Sequence, residues 1–316
     1  MKTTTLLNTL ITTLALSGFA SAGIEQTESY SFDVSSGDLL EVRVQDADVT
    51  VSGNPSATTA EIVITQKSRT DDEEKAQKAF SRVAYFCSQD GDRVLLQSKR
   101  DKSSNWKLFQ GKDYWVKTRV EITIPEEFRV QLKTSDGNLV LQQTRGDVEL
   151  RTSDGDLRAT RIVGNLMVKS SDGDIILKEI AGDVNAITSD GDVEMYEVVG
   201  DINAQSSDGN LDLKGVDGSL QCRTSDGNVS VSFVNTPASD CHVNASDGNI
   251  RVVLPADARM NFDLSSHDGR IDFPFHVEQM NSSHGDSHHV RSFQYPEASL
   301  LKASSHDGNI SIHSKS

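Results

Sequence analysis

Residues 152–187 read TSDGDLRATRIVGNLMVKSSDGDIILKEIAGDVNAI, and this stretch decides the fold. An Asp-Gly pair recurs 18 residues apart, at Gly155 and Gly173, and a second glycine follows each after nine residues, at Gly164 and Gly182. The 18-residue spacing holds over six Asp-Gly glycines: Gly137, Gly155, Gly173, Gly191, Gly209 and Gly227. Asp-Gly then returns at Gly248, Gly269 and Gly308. Self-similarity at a fixed period predicts a stacked-repeat architecture.

Apolar residues alternate with other residues inside each repeat. Counted from the Asp-Gly glycine, the second and fourth positions are apolar, as in Leu157 and Ala159, and so are the eleventh and thirteenth, as in Leu166 and Val168. An alternation of two predicts strands with one apolar face. Two short strands per 18-residue unit predict an all-β fold, a β-solenoid or parallel β-helix whose coils stack about 4.8 Å apart.

The first residues have the pattern of an export signal. Residues 1–22 combine Lys2, a mainly apolar stretch and the small residues Ala20-Ser21-Ala22, which is typical of a signal peptide cleaved after Ala22. The apolar stretch is shorter than the roughly 20 residues that a membrane-spanning helix needs. We therefore predict an exported chain without a transmembrane segment, periplasmic or extracellular on the cell surface of a bacterium.

The rest of the chain divides into two predicted regions. Residues 23–125 lack the period and are expected to form a β-rich N-terminal cap with one helix at about 72–85. Its strands are predicted at Leu39–Val44, Val49–Val51, Glu61–Thr65, Arg93–Gln97 and Val116–Ile124. Residues 126–316 are expected to hold the solenoid, with a His-rich insertion at 274–295 that would cover one edge. Covered edges prevent uncontrolled strand pairing.

Composition narrows the classes of partner and the redox chemistry. The formal net charge is −16, from 31 basic and 47 acidic residues, which disfavours binding to nucleic acid and anionic lipid. The three cysteines are Cys87, Cys222 and Cys241. The repeat aligns Cys241 with Leu220, which leaves it about 8 Å from Cys222, too far for a disulfide.

The repeat unit carries a resemblance to a known family. Tandem Ser-Asp-Gly-[Asp/Asn]-[Leu/Ile/Val] units follow a helix segment and proline-led stretches, as Ile124-Pro125 leads to Thr134-Ser-Asp-Gly137. In these features the chain resembles the bacterial putative-adhesin family of unknown function, over roughly residues 28–316. The resemblance implies an exported β-solenoid with a surface or adhesive role, and it implies no catalytic residues.

One aspartate precedes the glycine in every repeat, and this ladder has two interpretations. Stacked carboxylates about 4.8 Å apart repel one another, and calcium, which prefers oxygen ligands, would relieve that repulsion. The simpler interpretation is that Asp and Asn cap the amides of their own turn while Gly adopts a positive φ. The candidate calcium ligands are Asp136, Asp154, Asp172, Asp190, Asp208 and Asp226.

Histidines and hydroxyl residues form two further sets. All eight histidines follow residue 241, and His267 and His306 replace Ser in the turns of two repeats, where they are expected to stack. The candidate ligands for zinc or another transition metal are His267, His284, His288, His289 and His306. A solvated polar loop is the alternative. A ladder of hydroxyl residues is predicted to hydrogen-bond inside the turns: Thr134, Thr152, Ser170, Thr188, Ser206 and Thr224.

These features favour a binding role over catalysis. The sequence shows no nucleophile motif, paired-acid motif or phosphate loop, so we predict a non-enzyme without a required cofactor. The predicted function is a cell-envelope binding or scaffold module that contacts a protein, a glycan or a second copy of itself. The alternatives are a carbohydrate-active β-helix enzyme and a calcium- or zinc-binding envelope protein.

Overall fold

The computed structural model describes residues 11–13, 23–100, 115–274 and 288–315. The chain separates into two compact units, unit 1 up to Gly146 and unit 2 from Asp147. The division at 125/126 that the sequence suggests stays a prediction. The predicted signal segment lies outside the described residues except for Ile11–Thr13.

Unit 1 contains ten strands and one helix among its described residues. They are β1 (Ile11–Thr13), β2 (Glu25–Asp33), β3 (Leu39–Arg43), β4 (Ala47–Asn54), β5 (Thr59–Ser68), α1 (Glu73–Phe80), β6 (Val83–Asp90), β7 (Arg93–Arg100), β8 (Val116–Pro125), β9 (Arg129–Lys133) and β10 (Leu139–Arg145). Sheet A has the order β1-β2-β5-β8-β4-β10, and sheet B has the order β9-β3-β7-β6.

Two solenoid coils already lie within the region predicted as a cap. Strand β4 pairs in parallel with β8 on one side and β10 on the other, and β3 likewise pairs with β7 and β9. The coil of β3 and β4 therefore lies between two coils that follow it in sequence. Antiparallel strands β1, β2, β5 and β6 complete the sheets. Strands β1, β2 and β6 were not predicted from the sequence.

The helix is shorter than predicted. Asp72 caps its N-terminus by accepting a hydrogen bond from the Lys75 amide at 3.1 Å, and Ser81 ends it. Ala76, Ala79 and Phe80 are its buried residues. The prediction of a helix to residue 85 was wrong at its end, since β6 begins at residue 83, where the apolar spacing changes to the alternation of a strand.

Unit 2 consists of seventeen strands among its described residues. They are β11 (Val148–Arg151), β12 (Leu157–Val163), β13 (Leu166–Lys169), β14 (Ile175–Ala181), β15 (Val184–Ile187), β16 (Val193–Val199), β17 (Ile202–Gln205), β18 (Leu211–Asp217), β19 (Leu220–Thr224), β20 (Val229–Phe233), β21 (Cys241–Ala245), β22 (Ile250–Leu254), β23 (Asn261–Ser266), β24 (Ile271–Asp272), β25 (His288–Ser292), β26 (Leu300–Ser305) and β27 (Ile310–Ser314). Sheet C has the order β12-β14-β16-β18-β20-β22-β27-β24. Sheet D has the order β11-β13-β15-β17-β19-β21-β26-β23-β25.

The register of these sheets follows the sequence period. Leu157 pairs with Ile175, which pairs with Val193, so each step from coil to coil is one 18-residue repeat. The inward positions are fully buried columns of aliphatic side chains, such as Leu157, Ile175 and Val193 in sheet C. This parallel stacking of two short strands per coil is a β-solenoid, so the predicted fold class is confirmed.

The last coils of unit 2 are stacked out of sequence order. Strand β27 pairs with β22 on one side and β24 on the other, and β26 likewise separates β21 from β23. The coil of β26 and β27 thus lies between two coils that precede it. Strand β25, from the predicted insertion, pairs antiparallel with β23 at the edge of sheet D.

The three cysteines are free, which for Cys222 and Cys241 confirms the prediction from the spacing. Cys222 pairs with Val243, which places Cys241 at the level of Leu220. Burial raises the pKa of the Cys241 thiol to about 11 and that of the Cys87 thiol to about 12. Both thiols are therefore protonated and unreactive at neutral pH.

Candidate functional site

The hydroxyl ladder of unit 2 lies inside the turns, as predicted. The Ser206 hydroxyl accepts a hydrogen bond from the Gly209 amide at 3.0 Å, and it lies 3.0 Å from the Gly191 carbonyl oxygen of the preceding coil. Thr224 makes both contacts one coil later, and Thr188, one coil earlier, donates to the Gly173 carbonyl oxygen of the coil before it. These side chains therefore close their own turn and join it to the next one.

The Asp-Gly glycines are needed for close packing, which corrects the prediction of a positive φ. A Cβ atom on Gly191 would lie 2.1 Å from the carbonyl oxygen of Gly173 in the preceding coil. Positive φ values occur instead in the second glycine set, at 149° for Gly182 and 142° for Gly200. The stacked turns are so close that the Asp-Gly position has no room for a side chain.

Asp and Asn after the glycine bind the neighbouring coil, which corrects the expectation that they cap their own turn. Asp174 Oδ1 accepts a hydrogen bond from the Asp192 amide at 2.9 Å, and Asp192 Oδ1 accepts one from the Asn210 amide at 2.6 Å. The serine or threonine hydroxyl already occupies the turn amide. The carboxylate is therefore free to satisfy an amide of the following coil.

The aspartates before the glycine are exposed to solvent. Within the described residues, no hydrogen bond or ion pair engages the carboxylates of Asp154, Asp172, Asp190, Asp208 and Asp226. Asp136, in unit 1, has an interaction partner. Among the described side chains, no three His, Cys, Asp or Glu residues are placed to hold a metal ion. Calcium binding by this ladder stays a prediction.

The described histidines fall into separate groups. The rings of His267 and His306 stack with centroids 4.8 Å apart, as expected from their repeat positions. His289 Nε2 lies 2.6 Å from Asp263 Oδ1, and Arg291 Nε lies 3.1 Å from the same oxygen. Partial burial opposes ionisation of Asp263, but these two partners lower its pKa.

The other two histidines proposed as metal ligands are His284 and His288. His288 is exposed on β25, and His284 lies outside the described residues. The Asp263 contact accounts for the orientation of His289 without a metal ion. Zinc binding stays a prediction.

Sheet D carries a polar depression that was not predicted from the sequence. Its volume is about 370 Å³, and amide side chains dominate its lining. It is lined by Asn203, Gln205, Gln221, Cys222, Arg223, His242 and Asn244. Asn203 donates a hydrogen bond to Asn185 at 2.9 Å, and Gln205 donates one to Asn203 at 3.0 Å. We call this surface the amide face. Its signal in the sequence was the run of amides at outward position twelve of successive repeats, Asn185, Asn203 and Gln221.

The outward face of sheet C carries mixed chemistry instead. Tyr196 lies between Lys178 and Lys214, whose ammonium groups are 5.2 and 5.3 Å from the ring centroid. A hydrogen bond with Glu194, 3.1 Å long, raises the pKa of Tyr196. Lys214 also pairs with Asp212 at 2.5 Å. These groups contact one another across neighbouring coils.

The stacked coils and the turn ladders define a β-solenoid of the Toastrack type. The sequence profile of the family described as Toastrack DUF4097 matches residues 38–313. The chain belongs to this family. No match was found among curated proteins. Within the described residues, no helix is both long and apolar enough to cross a membrane.

Solved structures from bacteria match most of this chain in a comparison of coordinates. A putative adhesin from Parabacteroides distasonis is 10% identical, with a TM-score of 0.50 over 90% of this chain and 96% of that one. A putative lipid binding protein from the same organism is 14% identical, with a TM-score of 0.47 over 90% of this chain and 96% of that one. A putative adhesin from Bacteroides fragilis is 12% identical, with a TM-score of 0.43 over 92% and 97%. At these identities the likeness concerns the fold alone.

Proposed function

We propose that the chain is an exported, non-catalytic β-solenoid that serves as a binding or scaffold module at the bacterial cell envelope. The adhesin-like proteins among its structural neighbours and the signal-like pattern at residues 1–22 support this proposal. The regular stacking gives long, rigid faces, which suits repeated contact with an extended partner.

The amide face is the observation that carries the proposal. Asn203, Gln205, Gln221 and Asn244 give it uncharged donors and acceptors, in a chain with a net charge of −16. Uncharged amides bind polar partners of either charge without the desolvation cost of a carboxylate. The face lies on parallel strands, so its geometry is fixed before a partner arrives.

Sedimentation with bacterial envelopes tests the proposal. Purified protein beginning at Gly23 is mixed with washed envelope fragments, and the bound fraction is measured after centrifugation. Gln221→Glu places a charge on the amide face, and Gln142→Glu makes the same change at an exposed position of β10 outside it. We expect saturable binding that falls at least tenfold for Gln221→Glu and is unchanged for Gln142→Glu. No binding to any envelope fraction, or equal losses in both variants, would contradict the proposal.

A further inference from the structure

Unit 1 contains a cavity of about 590 Å³ at a corner of its two sheets. Residues of the β3–β4 turn, the α1–β6 junction and strand β8 surround it, and Gln66 of β5 reaches it from inside the sheet. We call it the corner cavity. Its size is typical of a site for a small ligand.

The inner wall of the corner cavity is polar at two positions where the alternation of inward and outward residues along β5 and β8 predicts apolar side chains. Gln66 and Thr118 are cross-strand partners on the inward face of sheet A. The next inward residues, Ile64 and Val120, are apolar and fully buried. The strand pattern would place an aliphatic side chain at both polar positions, so the change of chemistry coincides with the cavity.

The side chain of Gln66 faces the cavity at this inner wall. The residue is 5% exposed, and among the described residues its side chain makes no hydrogen bond. A buried amide without partners is costly. A molecule that fills the corner cavity can donate a hydrogen bond to the Gln66 carbonyl and accept one from its amino group.

Two aromatic rings border the same space. Tyr85 is buried, its hydroxyl bonds with Thr118, and burial raises its pKa, so the phenol keeps its proton. Trp115 is 47% exposed, and the Arg69 guanidinium lies 4.1 Å from its ring centroid. Arg69 thus fixes the orientation of an exposed indole ring at the rim.

Four of the charged groups around the corner cavity form two ion pairs. Arg100 lies 3.7 Å from Asp46, and Lys117 lies 3.2 Å from Asp48. A charged ligand would have to compete with one of these ion pairs. A neutral ligand with several hydroxyl groups can donate to the carboxylates and accept from the cations without separating them.

We propose that the corner cavity binds a neutral saccharide, as one or two sugar units of a glycan. The Trp115 ring packs against the C–H face of the sugar, and Gln66 hydrogen-bonds to its hydroxyl groups. This proposal rests on the proposed binding function, because it names a glycan as one partner, but it uses residues outside the amide face.

Titration of the purified protein with named sugars tests the proposal. The probes are glucose, galactose, mannose, N-acetylglucosamine and chitobiose, with glucuronate and inorganic phosphate as charged comparisons. The readout is the indole N–H resonance of Trp115. We expect at least one neutral sugar to shift this resonance saturably, while glucuronate and phosphate have no effect. Binding of the charged probes alone, or of none of the probes, overturns the proposal.

Matched variants locate the site. Trp115→Ala and Gln66→Leu should each weaken sugar binding, measured by calorimetry, at least tenfold. Phe86→Ala removes an aromatic side chain that is 49% exposed on β6 and should leave it unchanged. Gln66→Glu keeps the size of the side chain and should weaken binding as well, so a folding defect in one variant does not decide the result. Equal effects of Trp115→Ala and Phe86→Ala would contradict this site.

The envelope assay separates the two proposals. If Gln66→Leu still sediments with envelopes and no neutral sugar binds, the saccharide site fails and the envelope-binding function stands. If a sugar binds to the corner cavity and no envelope fraction retains the protein, the envelope-binding function fails and the saccharide site stands.

Discussion

The two units differ in what their inward polar side chains do. In unit 2, Ser206 and its counterparts satisfy the backbone of their own coil and of the next one. In unit 1, Gln66 lies equally deep but faces a cavity, and its amide has no hydrogen-bond partner among the described residues. The strict repeat therefore uses these inward hydroxyl groups in stacking, whereas the interrupted part of unit 1 has an inward amide that faces a cavity.

The largest expected effect comes from a close contact in unit 2. Gly191→Ala would place a Cβ atom 2.1 Å from the Gly173 carbonyl oxygen, so two coils must separate. We expect a loss of about 3 kcal/mol or more in the free energy of unfolding. Denaturant titration followed by circular dichroism measures it.

A glycine of unit 1 provides the control. Gly37 has a φ of 84°, and a Cβ atom added there would have no heavy atom within 4 Å, so Gly37→Ala suffers backbone strain alone. We expect a loss of about 1 kcal/mol. Equal losses at Gly37 and Gly191 would show that conformation, and not close packing, explains the Asp-Gly glycines.

The next effect concerns the hydroxyl ladder. Ser206→Ala leaves the buried Gly209 amide without its acceptor and should lower the free energy of unfolding by about 1–3 kcal/mol. Ser230→Ala, at an outward position of β20, should change it by less than about 0.5 kcal/mol. Thermal melts of both variants give the comparison, and similar midpoints would contradict the role of the ladder.

Substitution of Gln66 in unit 1 is expected to raise the free energy of unfolding, unlike the substitutions in unit 2. Gln66→Leu removes a buried amide that has no hydrogen-bond partner among the described residues and supplies the aliphatic side chain of the strand pattern, so we expect a gain of about 1 kcal/mol in the free energy of unfolding. Chemical denaturation of the ligand-free protein measures it. A loss of stability would mean that the amide is satisfied within the fold, and the contrast between the units would disappear.

The smallest effect is expected for calcium. The aspartates after the glycine already accept backbone hydrogen bonds, and those before it are exposed, so we expect the same melting midpoint in millimolar calcium and in EDTA. A ligand that binds only the folded state must raise the midpoint. A calcium-dependent rise that EDTA reverses would support the calcium ladder and contradict this expectation.

The repeat made much of the fold predictable, because its spacing shows which face of each strand is buried. The same spacing does not predict which coils are neighbours. Leu157 and Leu166 mark strands because their spacing reports which face is buried. The spacing carries no information on which coil lies beside which, so the position of β26 and β27 could not be deduced. The prediction of a positive φ at Gly191 was wrong, because a turn with positive φ and a close approach between two backbones both select glycine.

The candidate sites were less predictable than the fold. The hydroxyl ladder followed from its inward register, but the corner cavity joins residues as distant in sequence as Asp46 and Trp115. Gln66 did leave a signal, as a polar residue at an inward strand position. The amide face was visible in the sequence only as columns across repeats, because no single repeat contains it.

The coil of β26 and β27, which lies between two earlier coils, has a consequence for folding during synthesis. Residues 241–254 and 261–272 each pair with residues 300–314, which a ribosome makes last of the three. Until that segment emerges, neither earlier coil has its final neighbour, and their strand edges stay open to other chains. A nascent chain released before residue 300 therefore exposes unpaired strand edges. Such a chain is prone to aggregation and to proteolysis. Synthesis of residues 300–314 is thus a condition for pairing both earlier coils.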